Sequence, residues 1–349
     1  MMVRSKVGFA VVGLGNIACN SILPAFANSK KARLVGLVSR DKKKAAKLAA
    51  KFGAQSSYGI DEFGTCLTDP QVSAIYVATP PGEHAAVTIR AAQAGKHVLC
   101  EKPLAATQAQ SVEMVEACRH HDVRLMTAYR KYFEPASLYL KGLIREGAFG
   151  RIDMMHTSFS ELFVPGVSVE WLLDPALAGG GPMMDLGVYC VNTTRWLVDE
   201  DPVEASAHSW CHDAVRFRNV EEGISFRLNF KSGLIVHGSS TYSAAMSSFI
   251  FVQGSKGWAC LTPAFPFEFE RKVTGQIAGR KFERRFKVID EFALELDAFA
   301  SAILGHKNVE PDGQQGHRDM VIIHAIYESA RNLRPMNIRY SPEALSHGA

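Results

Sequence analysis

The sequence predicts a two-part α/β chain. A doubly wound parallel sheet is expected over residues 1–130, and an α+β part with an open, mostly antiparallel sheet over residues 131–349. Three observations predict it. Short apolar runs in the first part each lead into a helical segment, the pattern of βα units whose strands are buried on both faces. The first of these runs ends in a glycine turn. Beyond residue 220 the chain instead alternates polar and apolar residues, as a sheet with one buried face requires.

The run 7–12 is followed by Gly13-Leu14-Gly15-Asn16-Ile17-Ala18. Gly13 permits a tight turn, and Gly15 lets the backbone approach a pyrophosphate. The helix opening at Asn16 and Ile17 offers that group its free N–H donors. Ala18 takes the third position of the pattern and still lets helix pack closely on strand. Standing in the first βα unit, this turn marks a Rossmann dinucleotide-binding domain; a purely structural glycine turn is the alternative.

The second strand, 33–38, ends in Ser39-Arg40-Asp41-Lys42-Lys43-Lys44. An acidic residue closing this strand would bind the ribose 2′-hydroxyl of NAD. A hydroxyl and a guanidinium stand there instead, and both suit a 2′-phosphate, Arg40 through a planar fork. The expected cofactor is therefore NADP rather than NAD, held by Ser39 and Arg40, with Lys44 a weaker candidate. Asp41 is read as the N-cap of a helix over 42–52.

A third buried strand, 74–79, stops at Pro80-Pro81-Gly82. Backbone at Thr79 and Pro80 is expected to line the nicotinamide ribose. His84 is a candidate cofactor contact, against the plainer reading of a helix-start residue. The next helix runs to Gly95 and feeds the strand His97-Val98-Leu99, which leads into Cys100-Glu101-Lys102-Pro103. Lys102, at the carboxyl end of a strand, lies in the crevice where such sheets bind ligands. Pro103 restricts the residue before it and fixes its direction. Glu101 is counted with the cofactor-binding residues. A helix over 111–121 and a strand over 124–127 complete the sheet, and His120-His121 at that helix end suggests no metal site.

After Tyr129-Arg130 a helix is expected over 134–147, then strands over 222–231, 234–241, 249–253 and 258–261, with Phe265, Phe267 and Phe269 continuing the alternation. Such an open sheet pairs with a second copy, so a homodimer or homotetramer is expected. Helices over 291–304 and 318–331 should pack back on the core. Within this part stands Gly179-Gly180-Gly181-Pro182-Met183-Met184-Asp185-Leu186-Gly187-Val188-Tyr189. The glycines allow a close backbone approach. Asp185 and Tyr189, four apart on a helix, share a face and can join Lys102 in a catalytic group. The alternative is that Asp185 caps the helix and Tyr189 packs in a core.

Composition limits the choices. The chain has 39 basic and 35 acidic residues, a net charge of +4, too mild for a nucleic-acid partner though suited to an anionic ligand. Seven cysteines without a CxxC pair favour a reducing compartment. The opening residues show no signal segment, and no apolar stretch is long enough for a bilayer, so a cytoplasmic protein without a membrane partner is expected.

Together, the glycine turn, Glu101-Lys102-Pro103 and the run from Gly179 to Tyr189 resemble the glucose–fructose oxidoreductase/inositol dehydrogenase/rhizopine-catabolism (Gfo/Idh/MocA) family over nearly the whole chain. Tyr129-Arg130…Glu134-Pro135, Asp185-Leu186-Gly187-Val188-Tyr189 with Asn192, and Ala325-Ile326-Tyr327-Glu328 resemble its glucose–fructose oxidoreductase branch. The chain departs from periplasmic relatives of that branch in showing neither a twin-arginine leader nor a proline-rich arm, and has Trp171-Leu172 where many relatives have Trp-Arg. The resemblance implies oxidation of a sugar hydroxyl, at C1 of an aldose to a lactone, with NADP as cofactor and a carbohydrate as partner. It implies that Tyr189 takes the hydroxyl proton, aided by Lys102, while Asp185 binds a second hydroxyl and Arg130 and Asn192 shape the site; Arg130 also counts as a cofactor contact. The alternatives are an NADPH-dependent keto-sugar or aldehyde reductase, and a non-catalytic dinucleotide-binding sensor.

Overall fold

A computed structural model of the chain describes residues 6–340; residues 1–5, most of the opening segment considered above, lie outside the described residues. The chain forms two compact units. One comprises the residues up to Arg130 together with Asp290–His317, the other Lys131–Ile289 and the chain from Arg318 onward.

The first unit is built on six strands: β1 (Val7–Val12), β2 (Ala32–Ser39), β3 (Ser56–Gly59), β4 (Ala74–Val77), β5 (His97–Glu101) and β6 (Leu125–Ala128). They pair in parallel in the order β3-β2-β1-β4-β5-β6. β1 and β4 are buried at every position, which is why both are unbroken apolar runs. Strand order reverses between β1 and β4, the place where a sheet of this kind opens a crevice at its carboxyl edge. The core on one face gathers Val12, Val38, Ile75, Val77, Val98 and Leu104.

β3 and the helix Phe63–Thr68 escape the sequence reading. β3 is a four-residue edge strand of Ser-Ser-Tyr-Gly, so it never acquires the apolar run of a strand covered on both faces. The return of Asp290–His317 to the first unit also has no signal in the pattern. Its helix Glu291–Leu304 packs Phe299 against Phe9, with ring centroids 6.1 Å apart. The Asp297 carboxylate accepts hydrogen bonds from Ser29 Oγ at 2.6 Å and from the N–H groups of Lys30 at 2.9 Å and Lys31 at 2.8 Å.

The second unit carries β7 (Ile152–Ser160), β8 (Pro202–Trp210), β9 (Gly223–Phe230), β10 (Ile235–Thr241), β11 (Ser247–Gly254), β12 (Gly257–Thr262), β13 (Arg271–Ile277), β14 (Arg280–Phe286) and β15 (Met336–Asn337). Their order is β14-β13-β12-β11-β7-β10-β9-β8-β15, and every pairing but β7–β10 is antiparallel. Alternate residues of β9 and β11 are buried, so the sheet covers one face, as the period of two foretold.

One expected strand is corrected. Phe265, Phe267 and Phe269 do not lie in a strand; the chain there is irregular. Pro263 and Pro266 have no N–H to give a ladder, and Phe265 is instead buried against Phe159 and Tyr189. The hairpin β13–β14 follows it, with an edge strand of Arg-Lys-Phe-Glu-Arg-Arg-Phe whose charges mask its period. Among the described residues no helix is long and apolar enough to cross a membrane.

The turn after β1 sets the sharpest local constraint. Gly13 has φ +93°, and a Cβ there would stand 2.6 Å from the carbonyl of Ala78 and from the N–H nitrogen of Thr79. Gly13→Ala is therefore expected to destabilise the protein by about 2 kcal/mol or more, read as a lower midpoint of urea unfolding; an unchanged midpoint would show that the turn tolerates a side chain.

Candidate functional site

Parallel pairing brings the carboxyl ends of β1, β2, β4 and β5 to one edge of the first sheet, and most of the expected site residues with them. Gly15 is exposed, with no atom within 4 Å of where its Cβ would stand. Helical backbone begins at Asn16 and Ile17 and passes through a widened π turn, Ala18–Ile22, before Leu23–Asn28. Open space beside Gly15 and uncapped N–H donors at Asn16 and Ile17 fit a pyrophosphate. At the end of β4, Thr79 Oγ1 is buried without a hydrogen-bond partner among the described residues, which leaves a polar atom at the crevice.

At the end of β2, Ser39 Oγ accepts the N–H of Asp41 at 3.1 Å. Asp41 is the N-cap of the helix Lys42–Phe52; its carboxylate accepts the N–H of Lys44 at 2.9 Å. The side chains of Arg40 and Lys44 are exposed. Arg40 stands 3.6 Å from the Glu83 carboxylate. An exposed pair of that length contributes little.

His84, a candidate cofactor contact or, more plainly, a helix-start residue, stands at the start of the helix Pro81–Gln93. It is fully buried, with Nε2 2.8 Å from the Thr79 carbonyl and Nδ1 3.1 and 3.2 Å from those of Pro103 and Leu104. Burial, reinforced by the Lys102 charge, pushes the imidazole below its ordinary pKa despite those carbonyls. Both ring nitrogens face carbonyl oxygens, and the one that carries the hydrogen of the neutral ring donates, so His84 lies between the end of β4 and the loop after β5. Pro80 caps the helix Pro81–Gln93 on the same stretch.

Lys102 is half-buried and joined to Pro103 by a cis peptide bond. Its N–H donates to Glu101 Oε2 at 3.3 Å, and the hydroxyl of Tyr76 donates to Glu101 Oε1 at 2.8 Å. Glu101 thus turns inward. Burial raises its pKa, against the opposing pull of Lys102, Tyr76 and Arg130. Arg130 is also buried, 3.4 Å from Glu291 Oε2 and over the ring of Phe292 at 5.6 Å. Glu101 and Arg130, both expected as cofactor contacts, are thus buried with charged neighbours, Glu101 beside Lys102 and Arg130 beside Glu291.

In the second unit the glycine run approaches its own chain. A Cβ on Gly180 would stand 2.1 Å from the Tyr327 hydroxyl, and one on Gly181 would stand 2.3 Å from the Glu221 carbonyl oxygen. Glu221 accepts the N–H groups of Gly181 and Met183, each at 3.0 Å, and the Tyr327 hydroxyl at 2.8 Å. The close approach expected from three glycines is to these side chains. Burial raises the pKa of Glu221 and holds Tyr327 well above the ordinary phenol range.

Asp185 lies in a π-helical turn, Met183–Gly187, and Tyr189 in the α-helix Val188–Val198. A spacing of four therefore does not by itself give them one face, because the π turn bonds i to i+5. Asp185 Oδ2 accepts the hydroxyl of the buried Tyr242 at 3.0 Å; burial first, then the Asp185 charge, keeps that phenol protonated. Tyr189 is 6% exposed, its ring between Phe159 at 6.0 Å and Phe265 at 5.8 Å. Asn192 is buried, and its amide donates to Asp319 at 2.8 Å.

Sequence reasoning gave no role to Tyr76, Glu221, Tyr242, Glu291 and Glu295, and named Tyr327 only as part of a motif. A signal existed for two groups. Tyr76 is a polar tip within a four-residue buried strand and so demands a partner, and Glu291 and Glu295 stand four apart in a helix that is otherwise apolar on that side. No group of three metal-ligating side chains occurs among the described residues.

Comparisons with known proteins extend this geometry. A profile described as "Oxidoreductase family, NAD-binding Rossmann fold" matches residues 7–129, and "GFO/IDH/MocA C-terminal domain" matches residues 137–260. The chain is 33% identical over 330 residues to D-xylose 1-dehydrogenase [NADP(+)] of Haloarcula marismortui, covering 93% of this chain and 91% of that one. It is 30% identical over 312 residues to 1,5-anhydro-D-fructose reductase of Ensifer adhaerens, covering 88% and 91%. The crystal structure of aldose-aldose oxidoreductase from Caulobacter crescentus, complexed with glycerol, is similar at a TM-score of 0.91 and 34% identity, over 95% of this chain and 99% of that one.

Proposed function

The chain belongs to the GFO/IDH/MocA oxidoreductase family, and from that premise we propose that it is an NADP-dependent enzyme oxidising an aldose at C1 to the lactone. The observation that carries this reading is the likeness, over more than nine-tenths of both chains, to an NADP(+)-dependent D-xylose 1-dehydrogenase and to an aldose–aldose oxidoreductase.

NADP, when bound, supplies the acceptor for the hydride leaving C1. Gly13, Gly15, Asn16 and Ile17 would hold its pyrophosphate, Ser39, Arg40 and Lys44 its 2′-phosphate, and Thr79 and Pro80 its ribose. Tyr189 takes the proton of the C1 hydroxyl. Lys102 supplies an ammonium that orients the hydroxyl and stabilises the negative charge that develops as its proton leaves. Asp185, already accepting from Tyr242, accepts a second sugar hydroxyl. A second reading, reduction of a keto-sugar by the same residues, draws on the likeness to 1,5-anhydro-D-fructose reductase.

The open sheet of the second unit supports pairing into a homodimer or homotetramer, since half-buried Phe249, Phe251 and Trp258 alternate with core residues and face away from them. A cytoplasmic location is supported by cysteine usage: burial pushes the thiols of Cys66, Cys118 and Cys190 up to about 12, so they pack as apolar groups, and cell fractionation checks the placement.

Titration with both dinucleotides is expected to give tighter binding of NADP than NAD, and Arg40→Ala to weaken NADP selectively; equal or tighter binding of NAD would refute the assignment. Lys102→Ala and Tyr189→Phe are each expected to keep NADP affinity and lose at least about a hundredfold in kcat on aldoses, followed at 340 nm. Near-normal turnover in either variant would discard its role. Light scattering is expected to return at least twice the chain mass, and a monomer mass would end the assembly proposal.

A further inference from the structure

The proposed chemistry uses Asp185 but none of the side chains that hold it. From residue 180 to residue 197 every position except Asp185 is buried, so this carboxylate is the polar group that the run brings to a surface. It stands in the π turn Met183–Gly187. A widened turn bonds i to i+5, and its side chains leave the rows of an α-helix. Helix geometry alone therefore does not set where Asp185 points.

The sheet of the same unit supplies the restraint. β7 and β10 pair in parallel, Ser160 beside Thr241, so their carboxyl ends lie together. β9 runs the other way and begins at the same end, Gly223 beside Thr241. Tyr242 follows β10 there, and its backbone is held on both sides. Its N–H donates to the Glu222 carbonyl at 2.9 Å, and its carbonyl accepts the N–H of Phe163 at 2.8 Å. Its ring lies 6.0 Å from that of Phe163 and 6.4 Å from that of Phe217, and the residue is 4% exposed. A tyrosine pinned in this way has a fixed hydroxyl, which donates to Asp185 Oδ2 at 3.0 Å. Burial first, then the Asp185 charge, keeps the phenol well above its ordinary pKa, so its hydrogen stays in place at neutral pH. The chain leading to Asp185 is tied separately. Glu221 accepts the N–H groups of Gly181 and Met183, each at 3.0 Å, and the Tyr327 hydroxyl holds Glu221 at 2.8 Å.

We infer that Tyr242 is a positioning residue for substrate binding: its hydroxyl fixes the Asp185 carboxylate in the direction from which it accepts a sugar hydroxyl. Glu221 and Tyr327 set the backbone of the turn, and Tyr242 sets the side chain that the turn leaves undirected. Tyr242 takes no part in moving the proton or the hydride, and it touches the sugar only through Asp185. The inference rests on the proposed function, because it needs Asp185 to accept from a sugar. A plain alternative is that Tyr242 is a core tyrosine and its hydroxyl only finds a partner there.

Tyr242→Phe keeps the ring among Phe163 and Phe217 and removes only the hydroxyl. The variant is compared with the wild type on aldoses at saturating NADP, followed at 340 nm. A hydroxyl that Asp185 holds alike in the bound sugar and in the transition state contributes to binding and not to the chemical step. Tyr242→Phe is therefore expected to raise KM for the aldose by about tenfold or more, to leave kcat within about twofold, and to leave NADP affinity unchanged. The same substitution is then made in an Asp185→Ala background, where it is expected to change kcat/KM by less than about twofold, since the group it positions is gone. An unchanged KM in Tyr242→Phe would overturn the inference, and so would a fall in kcat alone. An equal further loss in the Asp185→Ala background would show that Tyr242 acts through packing, and would overturn it as well. Absence of turnover by the wild type on every aldose would overturn the proposed function and this inference with it, whereas wild-type turnover with an unaffected Tyr242→Phe would overturn the inference alone.

Discussion

Every strand of the first sheet runs the same way, so all carboxyl ends fall on one edge. From that constraint the rest follows. Residues far apart in sequence, at 13–17, 39–44, 79–80 and 101–103, come to one crevice because each ends or follows a strand. The crossing from β1 to β4 brings Gly13 against Ala78 and Thr79, which leaves room for no side chain at the turn. Backbone that must approach a ligand and backbone that must approach its neighbour are here the same few residues.

A second theme is how buried polar groups find partners. The second unit encloses Arg195 with Asp319 and Asp201, and it encloses Glu134 with Lys131, Arg271 and the N–H groups of Ala136 and Ser137. Against burial, Lys131 and Arg271 hold the Glu134 carboxyl below its ordinary pKa. Glu221 does the reverse: it is buried among neutral donors, and its pKa rises. Neutral donors satisfy a carboxylate's lone pairs but do not replace the water that stabilised its charge. Glu295 behaves as Glu221 does: burial raises its pKa.

Much of the architecture was legible from local pattern. Apolar runs located β1, β2, β4 and β5, and a period of two located β9 to β12, because burial on two faces or one leaves a direct mark on sequence. The helix Lys42–Phe52 and its Asp41 cap were legible for the same reason, since a cap acts within three residues. Edge strands β3 and β14 were not, because half their surroundings are solvent and their residues need not be apolar. The Phe265 segment misled, since aromatic alternation looks alike in a strand and in a loop whose rings fill a core.

By itself the sequence determined the glycine turn, the hydroxyl and guanidinium after β2, and a lysine at a strand end, because each is a local chemical statement. Only tertiary structure decided what surrounds them. It sealed His84 among three carbonyls, turned Glu101 and Arg130 inward, and brought Glu291 from a distant stretch of chain to pair with Arg130. The physical reason is that a side chain's charge and direction depend on which distant segments remove its water, and no spacing rule along the chain records that.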